Sequence, residues 1–229
     1  MGNRMMENRL NFRFLSLTTI VLLAAALLQS GCHQGDAARR ESSRLTREGN
    51  AALEAGQWEE AVRCYTEALV RDPRNTDALY GRSSARLVTG KEYYLLARAA
   101  AGEGESVHAR EIASKADRDF ALAAEDAAAL LKIDAESSGA CYILGCVALY
   151  QADWQGALDA FSETIRRAPE MADAYQRRGE VYGFINDLEN ESADLKRAAE
   201  LGYTPEEETD SFGDEPSQTA EAETGRVLY

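Results

Sequence analysis

Cysteine and histidine are the residues best suited to hold a metal or to perform redox chemistry, and their spacing disfavours both roles. No Cys-x-x-Cys pair is present, and the two histidines are far apart; these residues are Cys32, Cys64, Cys141, Cys146, His33 and His108. Metal-ligand spacing is therefore lacking, and no cofactor is expected. Cys141 and Cys146 would be separated by about 500° of rotation on a predicted helix, so a disulfide between them is not expected. Cys64, Cys141 and Cys146 are predicted to be small, buried core residues.

No other group of residues has the pattern of a catalytic site. The sequence contains no Gly-rich phosphate loop, zinc-protease helix motif or nucleophile elbow. The Gly102–Gly104 turn contains an acid that would repel phosphate, and acids such as Glu59 and Glu60 are expected on solvated helix faces. His108 lies on a polar predicted helix with no second ligand nearby. The sequence therefore predicts a protein that is not an enzyme.

The composition predicts a folded, helical and acidic chain. Its 229 residues are 45% hydrophobic, which suffices for a real core, and only 4 are proline. Abundant alanine favours helix, because alanine loses no side-chain entropy there. The net charge of −14 would repel polyphosphate, so nucleic acid is not an expected partner.

The N-terminus has the three-part pattern of a bacterial secretion signal, predicted over residues 1–31. Arg4, Arg9 and Arg13 precede an apolar run over 14–28, and Ser30-Gly31-Cys32 follows. The run is shorter than the roughly 20 apolar residues that cross a bilayer comfortably.

The sequence Ser-Gly-Cys after an apolar run resembles the processing site of bacterial lipoproteins. This resemblance implies that Cys32 is acylated and becomes the new N-terminus, and that 32–41 is a linker to the membrane. Gln29 departs from the leucine usual in that class, and Leu28 is one residue further back. An uncleaved short anchor, or ordinary cleavage that leaves Cys32 free, are the alternatives. His33 is not the aspartate associated with inner-membrane retention, so the expected location is the outer membrane, facing the periplasm.

A repeat occupies the middle of the chain. Gly49 is followed at offsets of 12, 16, 19 and 24 residues by Ala61, Tyr65, Ala68 and Pro73. The same offsets from Gly145 give Ala157, Phe161, Thr164 and Pro169. Gly179 follows Gly145 by 34 residues and is followed at offsets 16 and 19 by Leu195 and Ala198.

A 34-residue period with these residues resembles the tetratricopeptide repeat. It implies an all-α solenoid of antiparallel helix pairs with about four repeats, over 42–203. We assign them to 42–75, 76–137, 138–171 and 172–203. Small residues would let paired helices approach closely, Tyr65 and Phe161 would fill the space between repeats, and Pro73 and Pro169 would stop second helices.

The second repeat is longer than 34 residues by 28. Its extra sequence predicts helix over 92–101, a turn over 102–106 and helix over 107–133. We consider two arrangements for the 91–117 insertion: a projecting helical hairpin that carries Tyr93, Tyr94, Leu95 and Leu96, or a third short helix folded against the array.

The stretch 204–229 contains eight acids and a single basic residue, Arg226. So dense a charge with little apolar sequence predicts a disordered, solvating tail.

In the family that the repeats resemble, the first helix of each repeat lines a concave groove that contacts ligand. The groove residues implied here are Asn50, Tyr80, Tyr142, Leu149, Tyr150, Gln176 and Arg177. Tyrosine and arginine are enriched at binding hot spots, although some of these tyrosines could instead be inter-repeat packing. Family members that grip a terminal carboxylate use lysine and asparagine where this chain has Thr46 and Gly81, so that clamp is not expected.

Two functions are compatible with these features. The first is a non-catalytic scaffold or assembly factor, tethered to the bacterial envelope through its N-terminal lipid, that binds a peptide or helix of another envelope protein. The second is an accessory subunit, or a glycan or small-ligand binder, of a cell-wall enzyme complex. The sequence does not decide the oligomeric state.

Lipidation can be tested by Cys32→Ser. We expect cells that express the wild-type chain to incorporate labelled palmitate into it, and the Cys32→Ser chain to incorporate none, because the acylated thiol is gone. Cys64→Ser is the matched control and should keep the label. Label that persists in Cys32→Ser would contradict the prediction.

Overall fold

Eight helices form the part of the chain that the structure describes. The computed structural model covers residues 17–102 and 106–204, with side chains from Gly35 onward. The helices are α1 (Leu17–Glu54), α2 (Trp58–Arg71), α3 (Thr76–Gly102), α4 (Ser106–Ile133), α5 (Ser138–Tyr150), α6 (Trp154–Arg167), α7 (Ala172–Phe184) and α8 (Leu188–Glu200). Each helix contacts the next along the chain, and these residues include no strand. The predicted all-α helix-pair solenoid is confirmed.

Local sequence sets where the helices begin and end. α2 and α6 both open on a tryptophan, and both end two residues before a proline, Pro73 or Pro169. Proline cannot continue a helix, because it lacks the N–H and its ring clashes with the preceding turn. The Asp153 carboxylate caps α6 by accepting a 3.0 Å hydrogen bond from the Gly156 N–H.

Aromatic rings lie directly on glycines where paired helices cross. A Cβ atom added to Gly145 would lie 2.6 Å from the Phe161 ring, and one added to Gly90 would lie 2.7 Å from the Phe120 ring. Tyr65 covers Gly49 in the same way, and its other edge meets Gly81 of the next repeat. These rings are nearly completely buried. The predicted role of small residues in close helix approach is confirmed.

The insertion lengthens the second helix pair and does not form a separate helix. α3 and α4 have 27 and 28 residues, whereas α5 and α6 have 13 and 14. The additional length is about 20 Å per helix at 1.5 Å per residue. The distal part has its own small core, made of Ala97, Ala100, Ala109 and Ile112. We call the pair beyond Glu92 and before Phe120 the hairpin; its turn, 103–105, lies outside the described residues.

α1 begins upstream of the first repeat and runs without interruption through the predicted 31/32 boundary. The side chain of Cys32 and residues 1–16 of the predicted signal lie outside the described residues, as does 205–229. Within the described chain, no helix is both long enough and apolar enough to cross a membrane.

Replacing Gly145 by alanine should destabilise the array. The new methyl group would overlap the buried Phe161 ring, and overpacking of this kind costs about 1–3 kcal/mol. Urea unfolding monitored by circular dichroism measures the change. Gly102→Ala is the control, because no atom lies within 4 Å of a Cβ added there. Equal stability of the two variants would contradict the packing role.

Candidate functional site

The odd-numbered helices form the inner layer of the solenoid. α1 contacts α3, α3 contacts α5, and α5 contacts α7, whereas the even-numbered helices make no such contacts with one another among the described residues. Because the odd-numbered helices approach each other more closely, the stack curves toward their side. The concave groove is therefore lined by the first helix of each repeat, where the sequence placed it.

Three predicted groove residues meet at the junction of α5 and α7. Arg177 forms a 3.0 Å ion pair with Glu180, and the Gln176 amide donates a 3.1 Å hydrogen bond to the same carboxylate. Arg177 also hydrogen-bonds the Tyr142 side chain. All four side chains are partly buried, so they form a connected polar group within an aromatic surface.

The surroundings fix the charge of this group. Burial disfavours the Arg177 cation, but the nearby Glu180 carboxylate outweighs it and leaves the pKa of Arg177 above its ordinary value. Burial is the main reason that the pKa of the Tyr142 hydroxyl is also raised. At neutral pH the junction therefore presents a guanidinium and a neutral phenol.

Tyr150 joins the array to the hairpin. Its ring stacks on Phe120 with centroids 5.0 Å apart, and Tyr94 meets it edge-on at 5.5 Å. Tyr94 and Phe120 come from the two lengthened helices. Tyr150 is thus partly a packing residue, as one of the two sequence interpretations allowed.

The other predicted groove residues are dispersed. Tyr80 is 45% exposed and its ring lies against Gly139 at the start of α5. The Asn50 side chain accepts a 2.6 Å hydrogen bond from the Tyr65 hydroxyl. Leu149 is only 2% exposed and belongs to the core beside Phe161, so its side chain lies in the core and does not line the groove surface.

The two positions where a carboxylate clamp would need long polar side chains are filled by packing. Thr46 is buried, donates to the Ser42 carbonyl at 2.9 Å and accepts from the Asn75 amide at 3.0 Å. Gly81 lies beneath the Tyr65 ring. Neither position offers a cation or an amide to the groove.

Sequence reasoning missed a buried ion-pair network between α3 and α4. Arg82 and Arg86 both bind the Asp126 carboxylate, at 2.7–2.8 Å, and Arg82 also donates to the Thr66 hydroxyl at 3.2 Å. Asp126 is buried.

The last repeat contains the same arrangement. There Arg178 binds Asp194 at 2.7 Å and donates to the Ser162 hydroxyl at 3.0 Å. The Arg–Asp separations are 44 and 16 residues, and they differ by the 28-residue excess. Aligning the repeats after removal of that excess would have exposed the shared pattern.

The three described cysteines are buried and unpaired with one another, which confirms their prediction as core residues. Burial is the largest cause of a raised thiol pKa at each of them, and it raises the pKa of Cys146 to about 12. No group of potential metal ligands occurs in the described part of the chain.

These thiols should resist alkylation in the native protein. Only the thiolate reacts, and at pH 8 a buried thiol with a raised pKa stays neutral and shielded. In a Cys32→Ser chain, we expect negligible labelling by iodoacetamide until urea unfolds the protein, after which Cys64, Cys141 and Cys146 all react. Fast native labelling of Cys146 would contradict its burial; mass spectrometry assigns the label.

Comparison with known proteins agrees with this architecture. The tetratricopeptide repeat model matches residues 46–92 and 142–183. The chain is similar to the structure of TTC0263, a thermophilic TPR protein of Thermus thermophilus, with 19% identity, 72% of this chain and 76% of that chain covered, and a TM-score of 0.54. It is also similar to the Arabidopsis OM64 TPR domain, with 19% identity, 64% and 98% covered, and a TM-score of 0.50. The chain therefore contains tetratricopeptide repeats, arranged as an all-α solenoid of helix pairs.

Proposed function

We propose that this chain is a non-catalytic scaffold that binds a peptide or helix of another protein in its concave groove. The observation that carries the proposal is the connected group of Tyr142, Gln176, Arg177 and Glu180 on the inner layer. It presents aromatic surface, a guanidinium and a carboxylate together, which suits hydrogen-bonding to the backbone or side chains of a polypeptide.

The geometry also favours one part of the groove. Tyrosine and arginine dominate binding hot spots because they combine large contact area with directed hydrogen bonds. Tyr142 and Arg177 are held by their neighbours before any ligand arrives, so little side-chain entropy would be lost on binding. The N-terminal part, with Thr46 buried and Gly81 covered, offers less. We therefore place the main contact at the α5–α7 junction.

We further propose that the scaffold works at the bacterial envelope. The support is the signal pattern over 1–31 and the Ser-Gly-Cys sequence that ends at Cys32. A lipid on Cys32 would hold the array at a membrane surface, by the resemblance an outer membrane facing the periplasm, with envelope proteins as partners.

A crosslinked pull-down with Tyr142→Phe tests the groove. This change removes one hydroxyl and keeps the ring that packs on Phe161, so the fold should persist. Losing a hydrogen bond near a charged group should weaken partner recovery about tenfold. Tyr175→Phe is the matched control, because that hydroxyl donates instead to the Pro169 carbonyl. A partner that is retained equally by both variants would move the site away from the junction. Binding of cell-wall glycan fragments in place of a protein would contradict the proposal.

A further inference from the structure

Unpaired positive charge is concentrated on the hairpin. On α5–α8 every arginine is in an ion pair: Arg166, Arg167, Arg177, Arg178 and Arg197. The hairpin differs, because four of its cations form no ion pair with a described residue; these are Arg98, Arg110, Lys115 and Arg118. In a chain of net charge −14, this surface is a local exception.

Two of these cations border a cleft of about 450 Å³ between α2 and the hairpin. The cleft exists because α4 runs beside α2 without contacting it, which leaves α3 as the floor. Lys115 and Arg118 are exposed on the α4 wall, and Val62 and Leu122 supply apolar surface.

The acids of the cleft do not neutralise these two cations by direct contact. Asp119 accepts a 2.9 Å hydrogen bond from the Thr89 hydroxyl on the floor, and Glu59 belongs to the opposite, α2 wall. Arg86, the remaining cation of the lining, is bound to Asp126. Lys115 and Arg118 therefore remain available to an anionic ligand.

We propose that this cleft binds the acidic segment 205–229 of the same chain. The segment carries eight acids against one arginine, so its charge is complementary to the hairpin and is repelled by the rest of the array. Its attachment through Thr204 gives an effective concentration in the millimolar range, which allows weak contacts to act. The proposal does not depend on a ligand in the concave groove.

Reach selects the part of the segment involved. Four helix-to-helix steps of about 8–10 Å separate α8 from α4, and Lys115 lies about 27 Å along α4 from its C-terminal end. Covering that distance takes about 15 extended residues. The acids at suitable range are Glu221 and Glu223, and Val227 and Leu228 follow them toward the apolar surface of Val62 and Leu122.

A carbodiimide, which joins a carboxylate to an amine in direct contact, tests the proposal in the detergent-solubilised full chain. The chain has four lysines, Lys91, Lys115, Lys132 and Lys196. We expect Lys115 to crosslink to Glu221 or Glu223 at least several-fold more than Lys132 does. High salt should suppress that crosslink, because it screens exposed charges.

Arg118→Glu provides the variant, and Arg74→Glu the matched control. Both arginines are exposed, so both variants should unfold at the wild-type temperature by circular dichroism. Arg118→Glu should lower the Lys115 crosslink several-fold, and Arg74→Glu should leave it unchanged. Crosslinks that fall mainly on Lys132 and Lys196, or that ignore Arg118→Glu, would overturn the proposal.

Mixing ¹⁵N-labelled and unlabelled chains separates the two possible sources of the segment. Crosslinks within a single isotope class support binding of the chain's own segment. Mixed-isotope crosslinks at Lys115 would show that a second copy supplies the acids, and would overturn it.

Discussion

The stacking of aromatic rings on glycines is the constraint on which the rest of the structure depends. Phe161 on Gly145, Phe120 on Gly90 and Tyr65 between Gly49 and Gly81 leave no room for a Cβ atom. These contacts set how closely the helices approach within a pair, and through Tyr65 they also set the distance between repeats one and two. Protein interiors tolerate few voids and little overlap, so the spacing is defined on both sides. The closer approach of the odd-numbered helices, and with it the curvature that makes a groove, follows from this spacing.

The insertion keeps that spacing because it adds equal lengths to both helices of one pair. Arg82 and Asp126 flank the addition, yet they meet with the geometry of Arg178 and Asp194, which have no insertion between them. Each added helix carries alanines toward the other, and Ile112 closes the small distal core. The hairpin thus lengthens one repeat without disturbing its neighbours, and Tyr150 stacking on Phe120 ties its base to the next repeat.

The fold could be predicted because its determinants recur at fixed offsets. Gly145 and Phe161 identify a helix pair by spacing alone, and Trp58 and Pro73 bound a helix through local chemistry. The groove was harder to predict. A position on an inner helix does not reveal whether its side chain points to solvent or into the pair, which is why Leu149 was placed on the surface although it is buried. The Asp126 network was missed for a different reason: its partners are 40 and 44 residues away, and only the folded hairpin brings them together.

Charge and aromatic contacts together allow the array to end after α8. A solenoid exposes an unpartnered face at its last repeat, and an apolar face there would promote association. Here Tyr175 and Tyr182 occupy that region, and the Arg178 guanidinium lies close to both ring centroids, at 5.8 and 6.0 Å. Arg197 approaches Tyr175 from α8 at 6.0 Å and also pairs with Glu200. Arg178 is at the same time the partner of Asp194, so the residue that holds the last helix pair together also covers its aromatic face with charge. Because the equivalent Arg82 faces a following repeat, the same residue position serves internal cohesion in the middle of the array and termination at its end.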